Sequence, residues 1–305
     1  MNLFLVTNPG SRNRRGRRIA AEYERLLEER GVRFDSAATS CLADAERLAR
    51  RAIGDGAETV VAVGGDGTIN RVLRGFFDAD GRPADADLGV LYAGTSPDFC
   101  RFHDLPTDPA AAIDRLLDGA TRRIDVGRLD CRDEAGNPRR VYFASSVNVG
   151  LGAGVARRAN RLRRWLGDGA GTLAATFATI AATKPAPVQI EIDGAAEDGE
   201  RVLNVTVGKN PFLASGLKLD VEAGVDDGKL WCFVTENVSR LGLIRRLPAF
   251  YDGTAVRRNC FRLHLGAKRV RFSSQTGPVE CDGDPAGFCP AVVTILPRAV
   301  RLRGA

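Results

Sequence analysis

Apolar residues follow two different rhythms along this chain, and the change comes near residue 125. Up to that point, short apolar runs alternate with stripes at helical spacing. Glu58-Thr59-Val60-Val61-Ala62-Val63 is a Val-rich run without alternation, the pattern of a strand buried on both faces. Ile19, Tyr23, Leu26 and Leu27 instead fall on one helical stripe. The pattern predicts strands at 2–7, 32–37, 58–63 and 87–92, and helices at 16–30, 42–54, 69–76 and 109–118. Alternation of this kind makes a parallel sheet covered by helices, with ligands at the carboxyl ends of its strands.

Beyond residue 125 the predicted strands are short, alternating and separated by turn residues: 123–131, 139–148, 187–193, 201–208, 229–235, 260–265, 269–273 and 291–296. That rhythm predicts antiparallel sheets packed on one another. Helical patterns interrupt it at 153–183, with a break near Gly167–Gly171, and at 239–250. The expected fold is an α/β N-terminal domain with a Rossmann-like parallel sheet at 1–125, then an all-β antiparallel sandwich at 126–296. No internal repeat or low-complexity linker intervenes, so a cleft is expected at the 125/126 crossover.

The 305 residues suffice for two domains with cores, and 44% hydrophobic with 27% charged residues are globular values. Seven scattered cysteines without a CxxC pair point to reduced cytoplasmic thiols, against both a disulfide framework and a zinc site. MNLFLVTNPG has no basic start or small-residue cleavage site, which argues against a secretory leader. Thr172 to Thr183 is too short and too rich in Ala and Thr to span a bilayer. The net charge of +6 is carried mostly by arginine, which suits phosphate on a nucleotide or a lipid headgroup. Nucleic acid is not expected, because no helix-turn-helix, zinc finger or RNP pattern is present.

The densest chemistry lies where Val63 runs into Gly64-Gly65-Asp66-Gly67-Thr68 and then Ile69-Asn70-Arg71-Val72-Leu73. Strand, glycine turn and helix start together make a cradle for anionic oxygens, since N–H groups and the helix dipole face the ligand. Glycines let main chain approach without Cβ interference. An Asp in such a cradle calls for a cation, usually Mg²⁺, between it and phosphate. An ordinary strand-to-helix turn is the bland alternative. No Gly-Lys-Ser/Thr follows, so the segment is not a Walker A loop.

With this segment at its centre, the chain resembles the diacylglycerol kinase catalytic domain family, which includes bacterial lipid kinases and sphingosine and ceramide kinases. Other segments agree in order. Asn8-Pro9-Gly10-Ser11 is similar to the family's NPxSG turn with Gly and Ser exchanged, and Gly94-Thr95-Ser96-Pro97-Asp98-Phe99 stands at GTxNDF. Ile124-Asp125-Val126-Gly127, Val147-Asn148-Val149-Gly150-Leu151-Gly152, Asp226-Asp227-Gly228-Lys229-Leu230 and Cys281-Asp282-Gly283-Asp284 follow at IDxG, NxxxxG, DDGxL and xDGE. The resemblance implies that residues 297–305 return to complete the first domain.

The same resemblance implies an ATP- and Mg²⁺-dependent lipid kinase. Asp66, Asp98 and Asp125 would join in an Asp–water–Mg²⁺ network. Asn8, Thr39, Gly64, Gly65, Asp66, Gly67, Thr68, Ile69, Asn70 and Thr95 would hold the nucleotide, with Ser11 a further phosphate contact. Asp284, with Asp282 behind it, would be the general base. Asp227, with the main-chain carbonyls of Gly224 and Lys229, would hold a structural Mg²⁺, although an Asp-Gly hairpin explains those letters equally well. Two departures bear on catalysis: Pro97 replaces Asn, and Asp284 replaces a Glu longer by one C–C bond, about 1.5 Å. They keep open a nucleotide-binding protein that has lost catalysis. NAD kinase shares GGDGT, but its TPTGSTAY-type segment is not found here.

Arg157, Arg158, Arg161, Arg163 and Arg164, with Leu162, Trp165 and Leu166, form a basic amphipathic pattern. Such runs are ordinarily solvated faces; peripheral docking on an anionic inner membrane surface is the functional alternative. The expected partner is a lipid substrate, and homodimerisation is left open. Gly150-Leu151-Gly152-Ala153-Gly154 mimics a dinucleotide turn but lacks the later acid, and His103 and His264 have no catalytic motif around them.

Overall fold

The computed structural model describes residues 2–11, 15–155, 158, 162, 168–213, 217–236, 238–254, 261–273 and 277–305. Most of the basic segment 157–166 lies outside these residues, and with it the membrane-docking expectation. The chain forms two compact units, residues 1–126 with 297–305, and residues 127–296.

In the first unit, β1 (Leu3–Thr7), β2 (Phe34–Ala38), β3 (Thr59–Gly64) and β4 (Asp87–Tyr92) alternate with α1 (Gly16–Glu29), α2 (Asp44–Gly54), α3 (Asp66–Arg74), α4 (Asp98–His103) and α5 (Pro109–Leu117). β1 pairs with β2 and β3, and β3 with β4, all in parallel. β3 is buried throughout because it is central and covered on both faces. Leu3, Leu5, Val61, Val63 and Leu91 pack against Ala20, Tyr23 and Leu27 of α1 and Ala112, Ile113 and Leu116 of α5. Successive side chains alternate across a strand, so Val6, Val60 and Ala62 face the other way, and they are buried as well. Tyr23 also donates its hydroxyl to Tyr92 O at 2.9 Å, tying α1 to the end of β4.

Helix α3 starts at Asp66 rather than at the predicted 69, because Gly65 takes the extended N-cap conformation and the GDGT residues make the first turn. Helix α4 follows Pro97, which stands at the N-cap and leaves Asp98 first in the helix.

The second unit holds β5 (Thr121–Arg132, which begins in the first unit), β6 (Pro138–Phe143), β7 (Ser146–Gly150), α6 (Asp168–Ala182), β8 (Ala186–Ile192), β9 (Ala195–Gly208), β10 (Phe212–Leu213), β11 (Leu217–Lys218), β12 (Leu230–Glu236), α7 (Arg240–Tyr251), β13 (Phe261–Ala267), β14 (Arg269–Ser273), β15 (Pro278–Cys281) and most of β16 (Asp284–Arg303). Its ladders are antiparallel: β13–β12–β9–β7–β15–β16 in order, with β14 between β16 and β8, β8 beside β9, and β5 beside β6. β12 shows why the rhythm is short. Leu230, Cys232 and Val234 enter one core with Val205 and Val207, while Trp231 and Phe233 enter another with Ile180 of α6 and Leu243 of α7.

Several strand predictions change. The 139–148 run breaks into β6 and β7 around Ala144-Ser145, and the predicted 291–296 strand is the middle of β16. β15 was not predicted, since only Val279 and Cys281 carry an apolar signal there. The last stretch of β16 belongs to the first unit, where Arg301 and Leu302 pair in parallel with Asp87 and Leu88 of β4.

Candidate functional site

Parallel register places the ends of neighbouring strands in one row: Thr7 stands beside Ala38 and Val63, and Gly64 beside Tyr92. Thr39, Asn8, Gly65 and Gly94 therefore leave the sheet along one rim. Thr39 N donates to Thr7 O at 2.8 Å, and Asn8 N to Val63 O at 3.0 Å. Asn8 Nδ2 donates to Thr68 Oγ1 at 2.9 Å, tying the first turn to the GGDGT helix start. Phe99 N donates to Asp66 Oδ1 at 2.9 Å, tying GGDGT to the GTSPD segment. Three turns distant in sequence are thus cross-bonded around the N-terminus of α3.

Glycine is required where these turns touch. A Cβ on Gly94 would lie 2.4 Å from Tyr92 Oη and 2.6 Å from Gly65 Cα. One on Gly64 would lie 2.4 Å from Thr68 Oγ1. At Gly67 the nearest atom would be Leu42 Cδ2 at 3.8 Å, an ordinary contact, so internal packing does not demand that glycine. Ile69 faces the core and Thr68 and Asn70 are buried, whereas Thr95 is exposed on the rim.

Asp66 and Asp98 are brought together. Burial pushes the Asp66 carboxyl up to about 6, opposed by the Phe99 N–H and reinforced by the Asp98 charge. Asp98 is buried, accepts from Ser96 Oγ at 2.9 Å and meets Arg101 at 3.5 Å. Asp125 is buried on β5 and accepts from Arg298 N at 2.8 Å, holding the left-handed residue (φ 49°) that turns the chain back into the first unit.

This rim fits a polyphosphate with a divalent ion. No side chain caps the N-terminus of α3. Ser11 Oγ is buried without a hydrogen-bond partner among the described residues, an orphan that an anionic oxygen would satisfy. Two adjacent carboxylates, one costly to ionise alone, suit a hard cation.

In the second unit, Asp282 (φ 51°) and Gly283 (φ 85°) form the two-residue turn between β15 and β16, the conformation that Asp-Gly hairpins favour. The turn is also anchored. Asp282 accepts from Ala144 N at 3.0 Å, Ser145 N at 3.0 Å and Ser146 N at 2.8 Å. Asp284 follows, half-buried, as the first residue of β16.

Glu280 was missed by sequence reasoning. Its carboxyl is buried, accepts from Asn148 Nδ2 at 2.6 Å and also takes the Gly283 N–H. Burial raises it to about 8, against the pull of those two donors, while the Asp282 and Asp284 charges raise it further. Asn148 Oδ1 in turn accepts from Thr206 Oγ1 at 2.6 Å and Asn204 Nδ2 at 3.3 Å. No local signal pointed to it, because the strand that carries it between Val279 and Cys281 was itself not predicted.

Around Asp227 the geometry differs from the expected metal loop. Gly224 N and Lys229 N donate to the Asp227 carboxylate at 3.0 Å each. Lys209 Nζ pairs with Asp227 Oδ1 and donates to Lys229 O at 3.2 Å. Burial alone would raise the Asp227 carboxyl, but Lys209 and the two N–H groups together hold it below its ordinary value. N–H donors and an ammonium do not suit a divalent ion, so this loop does not fit Mg²⁺. Among the described residues no cluster of three or more His, Cys, Asp or Glu side chains could hold a metal, and no helix is long and apolar enough to cross a membrane.

Comparison with known proteins agrees with the resemblance read from the motifs. Residues 2–129 match the diacylglycerol kinase catalytic domain family, and residues 145–304 match the YegS C-terminal NAD kinase beta sandwich-like domain. A diacylglycerol kinase of Mycobacterium tuberculosis (strain ATCC 25618 / H37Rv) is 29% identical over 298 residues, covering 97% of this chain and 93% of the relative. One from Staphylococcus epidermidis (strain ATCC 12228 / FDA PCI 1200) is 29% identical over 294 residues, covering 94% and 87%. Among solved structures, a diacylglycerol kinase from Bacillus anthracis str. Sterne superposes with a TM-score of 0.71 at 18% identity, covering 99% of this chain and 96% of that one. Yeast NADH kinase complexed with NADH gives a TM-score of 0.52 at 12% identity, covering 99% and 82%. At those identities the structures speak for the fold alone. Residues 2–129 belong to the diacylglycerol kinase catalytic domain family, and residues 145–304 to the YegS C-terminal NAD kinase beta sandwich-like domain family.

Proposed function

We propose that the protein transfers the γ-phosphate of ATP, with Mg²⁺, to the hydroxyl of a diacylglycerol-like lipid. Family membership makes it a phosphotransferase with an alcohol acceptor; the nucleotide, the ion, the acceptor and the residue roles are the proposal. The observation that carries it is the cross-bonding of three strand-end turns, Asn8 to Thr68 and Asp66 to Phe99, around an uncapped helix start. In this reading the first unit is a Rossmann-like domain, and the nucleotide lies along Asn8, Thr39, Gly64–Asn70 and Thr95.

Phosphoryl transfer asks a protein mainly for positioning and charge neutralisation. The N–H groups at the α3 start would hold phosphate oxygens, and Asp66 and Asp98 would hold Mg²⁺ through water, which neutralises charge on the transferring group. Asp125 would act at longer range. Asp284 would accept the proton of the lipid hydroxyl as its oxygen bonds to the γ-phosphorus and the bond to ADP breaks. The anchored Asp282 turn would fix where Asp284 points. Contact with anionic lipid through the Arg157–Leu166 segment belongs to the same proposal and is supported by charge alone.

Incubation with labelled ATP, Mg²⁺ and short-chain diacylglycerol in mixed micelles tests this. Label in the organic extract is expected, and Asp66→Ala is expected to lower turnover by at least ~10³-fold while leaving the unfolding midpoint near that of the parent protein. Unchanged turnover in that variant would remove the proposed mechanism. Pro97 and the shorter Asp284 favour one second reading, an ATP-binding protein without transfer; tight ATP binding with an unlabelled extract would select it. Labelled NADP would select the NAD kinase reading.

A further inference from the structure

Lys209 follows the end of β9, where its main-chain N–H donates to Ser145 O at 2.9 Å. Its side chain is nearly inaccessible, at 2% exposure. An ammonium that deep must be neutralised and hydrogen-bonded. The 224–229 loop supplies the partners: Asp227 Oδ1 and the main-chain carbonyl of Lys229 both accept from Nζ. The remaining contacts of Asp227 are N–H groups, Gly224 N to Oδ2 and Lys229 N to Oδ1.

A bound Mg²⁺ would need near-octahedral oxygen ligands at about 2.0–2.1 Å. Here the loop's inward acceptors are already taken by a fixed positive charge, and the adjacent groups are donors. A divalent ion at this place would meet a buried cation within hydrogen-bond distance of its own ligands. Sequence reasoning left a metal loop and a plain Asp-Gly hairpin equally open, because Asp226-Asp227-Gly228-Lys229-Leu230 carries the same letters either way. The deciding residue lies 18 positions upstream of Asp227.

We propose that Lys209 is the resident cation of the 224–229 loop, a tethered ammonium that takes the role a divalent ion would otherwise have there, so that the second unit holds its shape without metal at this loop. Two functional consequences follow. Any requirement of this protein for a divalent ion arises outside this loop, and chelation leaves the second unit folded.

The decisive test is on the full-length protein without nucleotide. Mn²⁺ binding is titrated by electron paramagnetic resonance for wild type and Asp227→Asn, and thermal unfolding is followed with chelator and with Mg²⁺. Equal Mn²⁺ stoichiometry in the two proteins, and a wild-type midpoint that moves by less than about 1 °C between chelator and Mg²⁺, are expected. One Mn²⁺ bound by wild type and lost in Asp227→Asn, or a wild-type midpoint that falls on chelation while that of Asp227→Asn does not, would overturn the proposal. Lys209→Met supplies a second readout where it folds. Its midpoint should fall by several degrees, and adding Asp227→Asn should lower it little more, because each variant removes the same pair. Additive losses would contradict the pairing. Should Lys209→Met fail to fold, the wild-type and Asp227→Asn comparison still decides. The phosphoryl-transfer reading survives any of these results, since Asp66 and Asp98 are untouched by them.

Discussion

Gly94 and Gly67 are both glycines of the strand-end rim, yet they are glycine for different reasons. At Gly94 a methyl group would drive into Tyr92 Oη and the main chain of Gly65, and backbone gives way only if the two turns separate. Gly94→Ala is therefore expected to destabilise the first unit by about 1–3 kcal/mol, the usual cost of overpacking, and to weaken ATP binding with it. Gly67 lies in the first turn of α3 with room for a methyl group against Leu42, and alanine is the better helix former there. Gly67→Ala should keep or raise the unfolding midpoint while lowering ATP affinity by about tenfold or more, if phosphate approaches the main chain as closely as proposed. Calorimetric ATP binding alongside thermal unfolding separates the two cases. Wild-type affinity in Gly67→Ala would remove residue 67 from the ligand contact. Both glycines were legible in GGDGT and GTSPD, but the letters do not tell packing from binding; only the neighbours of each Cβ do.

At the scale of elements, the β15–β16 hairpin joins a mobile-looking composition to a fixed position. Asp282-Gly283 reads as a turn and is one. Sequence reasoning did not reveal that Asp282 is clamped by three N–H groups from 144–146, because those partners are 136 to 138 positions away. Glu280, the other fixing point, escaped for the same reason: a single acid in a core-facing stretch has no local pattern. Its burial makes a pH prediction. The folded pKa of about 8 lies above the ordinary 4.5, so between those values the folded state holds a proton that the unfolded state has lost. The corresponding stability is fully present below pH 4.5 and is lost as pH rises through about 8, for a total on the order of a few kcal/mol. Denaturant unfolding of wild type and Glu280→Gln across this range isolates the group: the wild-type excess over the variant should shrink steadily with rising pH. A constant difference would show that Glu280 does not titrate there. The first-unit elements were far more legible, since a Val-rich run such as 58–63 and a stripe such as Ile19, Tyr23, Leu26 and Leu27 depend on neighbours within one turn or strand.

At the scale of the whole molecule, the chain leaves the first unit at 126 and returns to it at 297, so the unit carrying GGDGT is closed by residues 297–305. Only the family resemblance implied that return; the letters of residues 297–305 do not show it, since Arg301, Arg303 and Gly304 have no pattern until their partners are known. Arg301 pairs with Asp87 at 2.6 Å, and Arg303 meets Asp87 at 3.3 Å and donates to Leu116 O at 3.0 Å. Arg115 donates to Gly304 O at 3.0 Å. These partly buried contacts hold the strand end, and Val300 and Leu302, which are fully buried, add apolar burial to it. Leu302→Ala should cost about 2–5 kcal/mol, the range for a buried leucine truncated to a methyl group. The loss should fall on the first unit: ATP affinity should drop and protease should cut first within 1–126, while 127–296 stays protected. Cleavage beginning in the second unit, or a midpoint unchanged by the substitution, would mean that the returning strand only decorates a sheet already stable without it. If the loss appears as expected, the nucleotide rim depends on a strand that rejoins it after the whole second unit, and the first unit is complete only once Arg301 and Leu302 have paired with β4.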